Sequence, residues 1–340
     1  MSWHLVHGVS TRRPTSAILW RHTQLGLPLF FAIAGMRLGW RLLRGRVRAV
    51  HLGDPVLSPL AWLAFGAGIP VVVTVHGLDL IYRNTIYQWL LARTLPRCAS
   101  IICISTHVRE LALARGLAPA RVHLIPVGIA PEGPRAGDIS QGLQATGIPP
   151  DAKVILTIGR LIPRKGVAWF IAEVFARLAR EREDVRYVVI GAGPERRRLE
   201  ELIRTLDLAG RVHLLGTQPE NLKWGWLERA VLLAVPNVPV EGDVEGFGIV
   251  ALEGALAGRT VLASRLEGLT DAVRDGTSGW LLPPGDPSAW TSRIQALLDD
   301  PDRLAATGTA ARADVLSRFT WDRIVDGYCD VFDHLALAPR

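Results

Sequence analysis

The sequence predicts an α/β protein made of two doubly wound halves, and three observations carry that expectation. Short, strongly apolar, β-rich runs alternate with helical stretches along the whole chain. Strands this apolar are buried on both faces, as in parallel sheets covered by helices. The alternation pauses at "APEGPRAGDISQGLQATGIPPDAK", residues 130–153, where Gly and Pro mark a linker. It then resumes. A length of 340 residues also leaves room for two domains. The expected domains are 1–140 and 150–318, two Rossmann-like units facing a cleft.

In the first half, "AVHL" (49–52), "PVVVTV" (70–75), "SIICIS" (100–105) and "RVHLIPV" (121–127) read as strands. Helical patterns fill residues 14–44, 56–66, 84–96 and 106–115. The second half repeats the plan. Its strands are "KVILTIG" (153–159), "VRYVVIG" (185–191), "RVHLLG" (211–216), "AVLLAVP" (230–236) and "RTVLAS" (259–264), with helices between them. Ligands of such sheets bind beyond the carboxyl ends of the strands, so the residues just after each strand are the candidates for chemistry.

Composition narrows the class. Apolar residues make up 49% and charged residues 21%, as in a globular protein with real cores. No signal-peptide pattern opens the sequence, and Cys98, Cys103 and Cys329 have no metal-type spacing. A cytoplasmic protein is expected. The net charge of +7 is unevenly spread. Residues 1–140 hold 15 Arg, no Lys and 5 acids, whereas the remainder holds 24 Lys and Arg against 27 acids. A basic first half points to an anionic partner. Within it, Leu25 to Met36 is too short an apolar run to span a bilayer, which takes about 20 residues. Arg37, Arg41, Arg44, Arg46 and Arg48 follow, beside Trp40. The segment reads either as a core helix with a solvated Arg face or as an amphipathic helix lying on anionic lipid.

Four post-strand motifs stand out. In "LTIGRLIPRKGV", Arg160 and Lys165 occupy a strand-to-helix turn, a suitable place for a diphosphate. In "VVIGAGPERRRLEELI", Gly191 and Gly193 begin a dinucleotide fingerprint whose third position is Arg196, so a tight structural turn is the better reading. In "VVVTVHGLDL", His76 directly follows a strand. In "EGFGIVALEGALAG", Gly246 and Gly248 keep Glu245 in a loop, and a helix starts near Ile249 with Glu253 in its early turns. The two carboxylates suit paired sugar hydroxyls. The amides of Phe247, Gly248 and Ile249 suit phosphate.

Taken in order, "VHGLD", "GRLIPRKG", "IGAGPERRRLEEL", "VHLLG" and "EGFGIVALEGALAG" resemble the family-4 glycosyltransferases of the GT-B fold. "SRLEGLTDAVRDGTSGWLLPPGDPSAW" and "RFTWDRIVDGYCDVF" extend the resemblance over nearly the whole chain. It implies retaining transfer from a UDP- or GDP-sugar to a glycan or lipid-linked acceptor, in polysaccharide or glycolipid biosynthesis. Arg160 and Lys165 would hold the diphosphate, Glu253 the ribose, and Glu245 the donor sugar, framed by Gly246, Phe247, Gly248 and Ile249. His76 would approach that sugar from the first domain. The final helix, 320–336, would pack back on the first domain. No cofactor, no metal and no nucleic-acid partner is implied. Peripheral contact with an anionic inner membrane face is expected.

The sequence departs from the family at its start. Such enzymes open with a strand, a Gly-Gly loop and a helix, whereas "MSWHLVHGVS" leads straight to the basic segment. About 40–60 residues of the usual half-unit are expected to be missing. Val127-Gly128 also stands where Asn-Gly is common. Two rivals share the fold: a truncated, non-catalytic nucleotide-binding relative and a sugar-nucleotide epimerase.

Overall fold

The computed structural model describes residues 2–19 and 27–337. It divides into two units, Met1–Gly128 with Phe319–Arg340, and Ile129–Arg318. The first unit has a parallel four-stranded sheet, β1 (Val50–Leu52), β2 (Val71–Val75), β3 (Ser100–Cys103) and β4 (Val122–Leu124), in the order β1-β2-β3-β4. Val50 lies opposite Val71, Val72 opposite Ser100, and Ile101 opposite Val122. Every residue of β2 and β3 is buried, which is why these runs lack polar alternation.

Helix Trp321–Leu337 belongs to this unit and packs beside helix Ser2–Arg12. Leu5 and Val9 from one, and Ile324 and Tyr328 from the other, share a core with Val72 and Ile102 of the sheet. A polar chain threads that core: His51 Nε2 is 2.9 Å from Thr74 Oγ1, which is 2.9 Å from the Tyr328 hydroxyl. Burial, with the His76 charge adding to it, pushes His51 down to about 4, so it stays neutral. The three thiols are free and buried, and burial pushes Cys98 and Cys103 up to about 12.

The helix expected over 14–44 is corrected. Helix Ser2–Arg12 ends before Pro14, residues 13–19 are irregular, and helix Leu27–Leu43 begins beside Pro28. Proline lacks the N–H that a helix interior needs and is favoured at a first turn. The part of that expectation on residues 20–26 lies outside the described residues.

The second unit has a parallel six-stranded sheet: β5 (Lys153–Ile158), β6 (Val185–Ile190), β7 (Val212–Gly216), β8 (Leu232–Val235), β9 (Thr260–Ser264) and β10 (Trp280–Leu282). Their order is β10-β9-β8-β5-β6-β7. Only β10 had no counterpart among the expected strands. Phe170, Phe175, Tyr187 and Trp290 fill the core, with Phe170 centred 4.8 Å from Tyr187 and 5.8 Å from Trp290. The linker segment is part of this unit. The Gly137 amide donates to the Asn221 carbonyl at 2.8 Å, and residues 133 and 142 lie against Trp224 and Trp226. No helix among the described residues is long and apolar enough to cross a membrane.

Candidate donor site of the second unit

The strand order sets the site. The chain winds from β5 outward through β6 and β7, then returns to the other side of β5 and winds outward through β8, β9 and β10. The loops after β5 and β8 therefore diverge, leaving a crevice at their carboxyl ends. Arg160, Arg164 and Lys165 follow β5. Asn237, Asp243 and Glu245 follow β8, and Glu267 follows β9.

Glycine allows these loops to stack. Gly191, after β6, has φ +146°, and a Cβ there would sit 1.8 Å from the Gly159 carbonyl oxygen. Its amide donates to the Gly216 carbonyl at 2.9 Å, and the Gly159 amide donates to the Ile190 carbonyl at 3.0 Å. The turn is structural, as its incomplete fingerprint indicated. Gly191→Ala is expected to destabilise the chain by at least ~1–3 kcal/mol, the scale of a strained backbone position. Urea denaturation checks it, and a variant as stable as the parent would contradict the close approach.

Glu245 is the hub. One oxygen, Oε2, accepts from Arg164 Nη1 at 2.6 Å, from Asn237 Nδ2 at 2.8 Å and from Lys165 Nζ. Oε1 has no partner among the described residues. Arg164 also lies 3.0 Å from Asp243 through Nε. Burial would raise the Glu245 carboxyl, but Lys165 and Arg164, with hydrogen bonds from Lys165 and Asn237, hold it below the usual glutamate range. Burial likewise opposes charge on Arg164, yet Glu245 and Asp243 keep it above its ordinary value. The Glu245 amide donates to the Glu267 carboxylate, and the Gly268 amide donates to the Glu245 carbonyl at 3.1 Å. Glu267 itself has φ +49°, an uncommon backbone state for a residue with a side chain.

Lys165 and Glu245 are thus brought into contact. Arg160 shares their loop region but is exposed, and its side chain has no partner among the described residues. Helix Ile249–Leu256 starts where the glycines indicated, after Gly248 at φ +86°. The amides of Gly248 and Ile249 have no partner among the described residues, while the Phe247 side chain is buried. Glu253 does not join the Glu245 cluster through any bond. It pairs with Lys223 of helix Glu220–Arg229 at 2.9 Å, and Lys223 also meets Glu220 at 3.0 Å. Burial holds the Glu253 carboxyl above its ordinary value, with Lys223 opposing the shift.

Sequence reasoning missed Arg164, Asn237, Asp243, Lys223 and Glu267. Only Arg164 had a local signal, its place beside Lys165. The turn Pro163–Lys165 and Gly166 at φ +66° direct it inward, and its carbonyl accepts from the Val238 amide at 2.9 Å.

In the first unit, His76 directly follows β2, as its place after a strand run indicated. Its Nε2 donates to the Gly53 carbonyl at 2.9 Å. The His76 amide donates to the Asp79 carboxylate at 3.0 Å. Burial raises Asp79 against that bond. A cavity of about 550 Å³ lies elsewhere, at the amino-terminal ends of β8 and β9, and is lined by Glu228, Arg259 and Arg312.

Two Rossmann-like parallel-sheet units, the second with charged loops gathered at its switch point, define the class as the GT-B fold. A solved structure agrees: HepE of Anabaena, in complex with UDP and glucose, matches with a TM-score of 0.73 at 21% identity, covering 93% of this chain and 84% of HepE. Residues 139–314 match the model of the glycosyl transferases group 1, and residues 6–132 match that of glycosyltransferase family 4. The chain belongs to the glycosyl transferases group 1 family. Among curated proteins, it is 34% identical to the D-inositol 3-phosphate glycosyltransferase of Acidothermus cellulolyticus, over 80% of this chain and 63% of that protein. It is 33% identical to D-inositol 3-phosphate glycosyltransferase 2 of Catenulispora acidiphila, over 66% of this chain and 53% of that protein. The chain thus spans between about half and two thirds of these relatives' lengths.

Proposed function

We propose that this protein is a metal-independent, retaining glycosyltransferase. It moves a sugar from a nucleoside-diphosphate sugar to a glycan or lipid-linked acceptor at the inner membrane face. The observation that carries this reading is the Lys165–Glu245 contact beside an unpaired Arg160 at the switch point. As the bond from the anomeric carbon to the diphosphate breaks, negative charge builds on the leaving phosphate. Arg160 and Lys165 stabilise that charge. In the free protein Lys165 rests on Glu245. Donor phosphate competes for Lys165, while Arg164 and Asn237 keep Glu245 in place. Its free Oε1 accepts from a sugar hydroxyl, and the amides of Gly248 and Ile249 add phosphate donors. Glu253, already held by Lys223, accepts from the ribose. His76 takes part in transfer, which His76→Ala tests by lowering transfer without weakening nucleotide binding.

The family match supports the reaction class, and HepE, solved with UDP and glucose, supports a nucleotide-sugar donor. A thermal-shift panel of UDP, GDP, ADP and NAD is expected to show stabilisation by a nucleoside diphosphate and none by NAD. Stabilisation by NAD alone would overturn the assignment. Product release that needs an acceptor, with the anomeric configuration of the donor retained by NMR, separates transfer from epimerisation.

A further inference from the structure

We propose that three neighbouring helices of the first unit present a docking face for an anionic lipid surface. They are Leu27–Leu43, Ser58–Gly66 and Thr85–Thr94, and the middle one packs against both others. The two sequence readings of the first helix each expected its apolar side to be covered by protein or lipid. Phe30 and Ala34 are covered by the protein, but Leu29, Met36, Trp40 and Leu43 are not. Their spacing of seven, four and three residues puts them on one stripe of a helix. Leu43 is 91% exposed and Met36 69%.

The neighbouring helices repeat the theme. Trp62 and Trp89 are exposed, as is Ile86. Each of the three exposed tryptophans on this face carries an arginine over its ring: Arg44 lies 3.6 Å from the Trp40 centroid, Arg97 4.6 Å from Trp62, and Arg93 5.2 Å from Trp89. Apolar residues with interleaved tryptophan and arginine suit the headgroup boundary of a bilayer, where the ring is half in hydrocarbon and the guanidinium meets phosphate.

Charge selects the occupant. Residues 1–109 contain twelve arginines and only two acids, Asp54 and Asp79. None of the three helices contains an acid. A second copy of the chain would bring the same positive charge to the contact. An anionic bilayer complements both the apolar stripe and the arginines. The inference deepens the proposed lipid-linked acceptor. Its test reads binding alone, so it can fail while the transferase reading stands.

The full chain is co-sedimented with phosphatidylcholine vesicles and with phosphatidylcholine–phosphatidylglycerol vesicles at low and high salt. Binding to the anionic vesicles, weakened by salt, is expected. Arg37→Gln and Arg44→Gln should each lower partitioning about fivefold, the contribution of one basic residue at a charged membrane. Trp40→Ser with Leu43→Ser should lower it by more than tenfold. These positions are exposed, so unchanged thermal unfolding is expected to accompany the loss. Equal binding to neutral vesicles, no binding to either, or parent-like binding by the variants would overturn the proposal. So would lipid-free self-association abolished by the same substitutions.

Discussion

Lys165→Ala is expected to lower sugar transfer by about 10²–10³-fold, the loss seen when one preorganised electrostatic donor is removed from a transition state. The structure makes this test clean. After the substitution Glu245 Oε2 still accepts from Arg164 and Asn237, so no buried charge is stranded. The Lys165 methylenes that would be lost pass near residue 159. Unfolding should therefore shift little while kcat falls. Arg160→Ala is cleaner still, because that side chain is exposed and unpaired. Any fall in its turnover reports on ligand and not on folding. Glu245→Gln is a better probe than Glu245→Ala. Alanine would leave the buried Arg164 with Asp243 alone, and a loss of activity would then mix chemistry with stability. Measured with the cognate donor, full turnover by Lys165→Ala would remove these residues from the chemistry.

Much of this arrangement was legible because local rules agree with the global fold. Among the described residues, nine of the ten strands coincide with apolar runs read from the sequence. Glycines around Phe247 broke the helical pattern at the place where the helix starts. The cations after β5 were readable because a parallel strand end is where chemistry gathers. What stayed hidden depends on long-range contact. β10 has three residues and is too short for a periodic signal. Arg164 and Glu245 lie 81 residues apart, and Lys223 and Glu253 lie 30 apart. No local pattern marks such pairs. "PRK" reads as a solvated loop until the turn and the β8 loop show that its arginine points inward and its lysine meets a carboxylate. The outward face of helix Leu27–Leu43 was hidden for the same reason: periodicity finds a stripe but not which stripe the sheet covers.

The same hub sets the largest expected effect on stability. Arg164 is 5% exposed at its side chain and bridges Asp243 and Glu245. Arg164→Met keeps its volume and deletes its charge, leaving two partly buried carboxylates short of a partner. Breaking such a pair costs about 3–5 kcal/mol. Lys165 and Asn237 remain on Glu245, so the lower end is expected. Lysine at this position should recover only part of the loss, because it cannot engage two carboxylates with a planar fork. The pH dependence distinguishes this cause from a packing defect. The folded Glu245 carboxyl sits below its ordinary value of 4.5. Its ionised form therefore contributes stability that is fully present above the ordinary value and lost as pH falls through the lower, folded one. Without Arg164, burial acts on Glu245 with less opposition, and its carboxyl is protonated at higher pH. The gap in unfolding free energy between parent and variant should be full near pH 7 and should narrow near pH 4. Urea denaturation at those two conditions reads it directly. A gap of equal size at both would assign Arg164 to packing alone, and a gap under about 1 kcal/mol at neutral pH would place its pair among ordinary surface bridges.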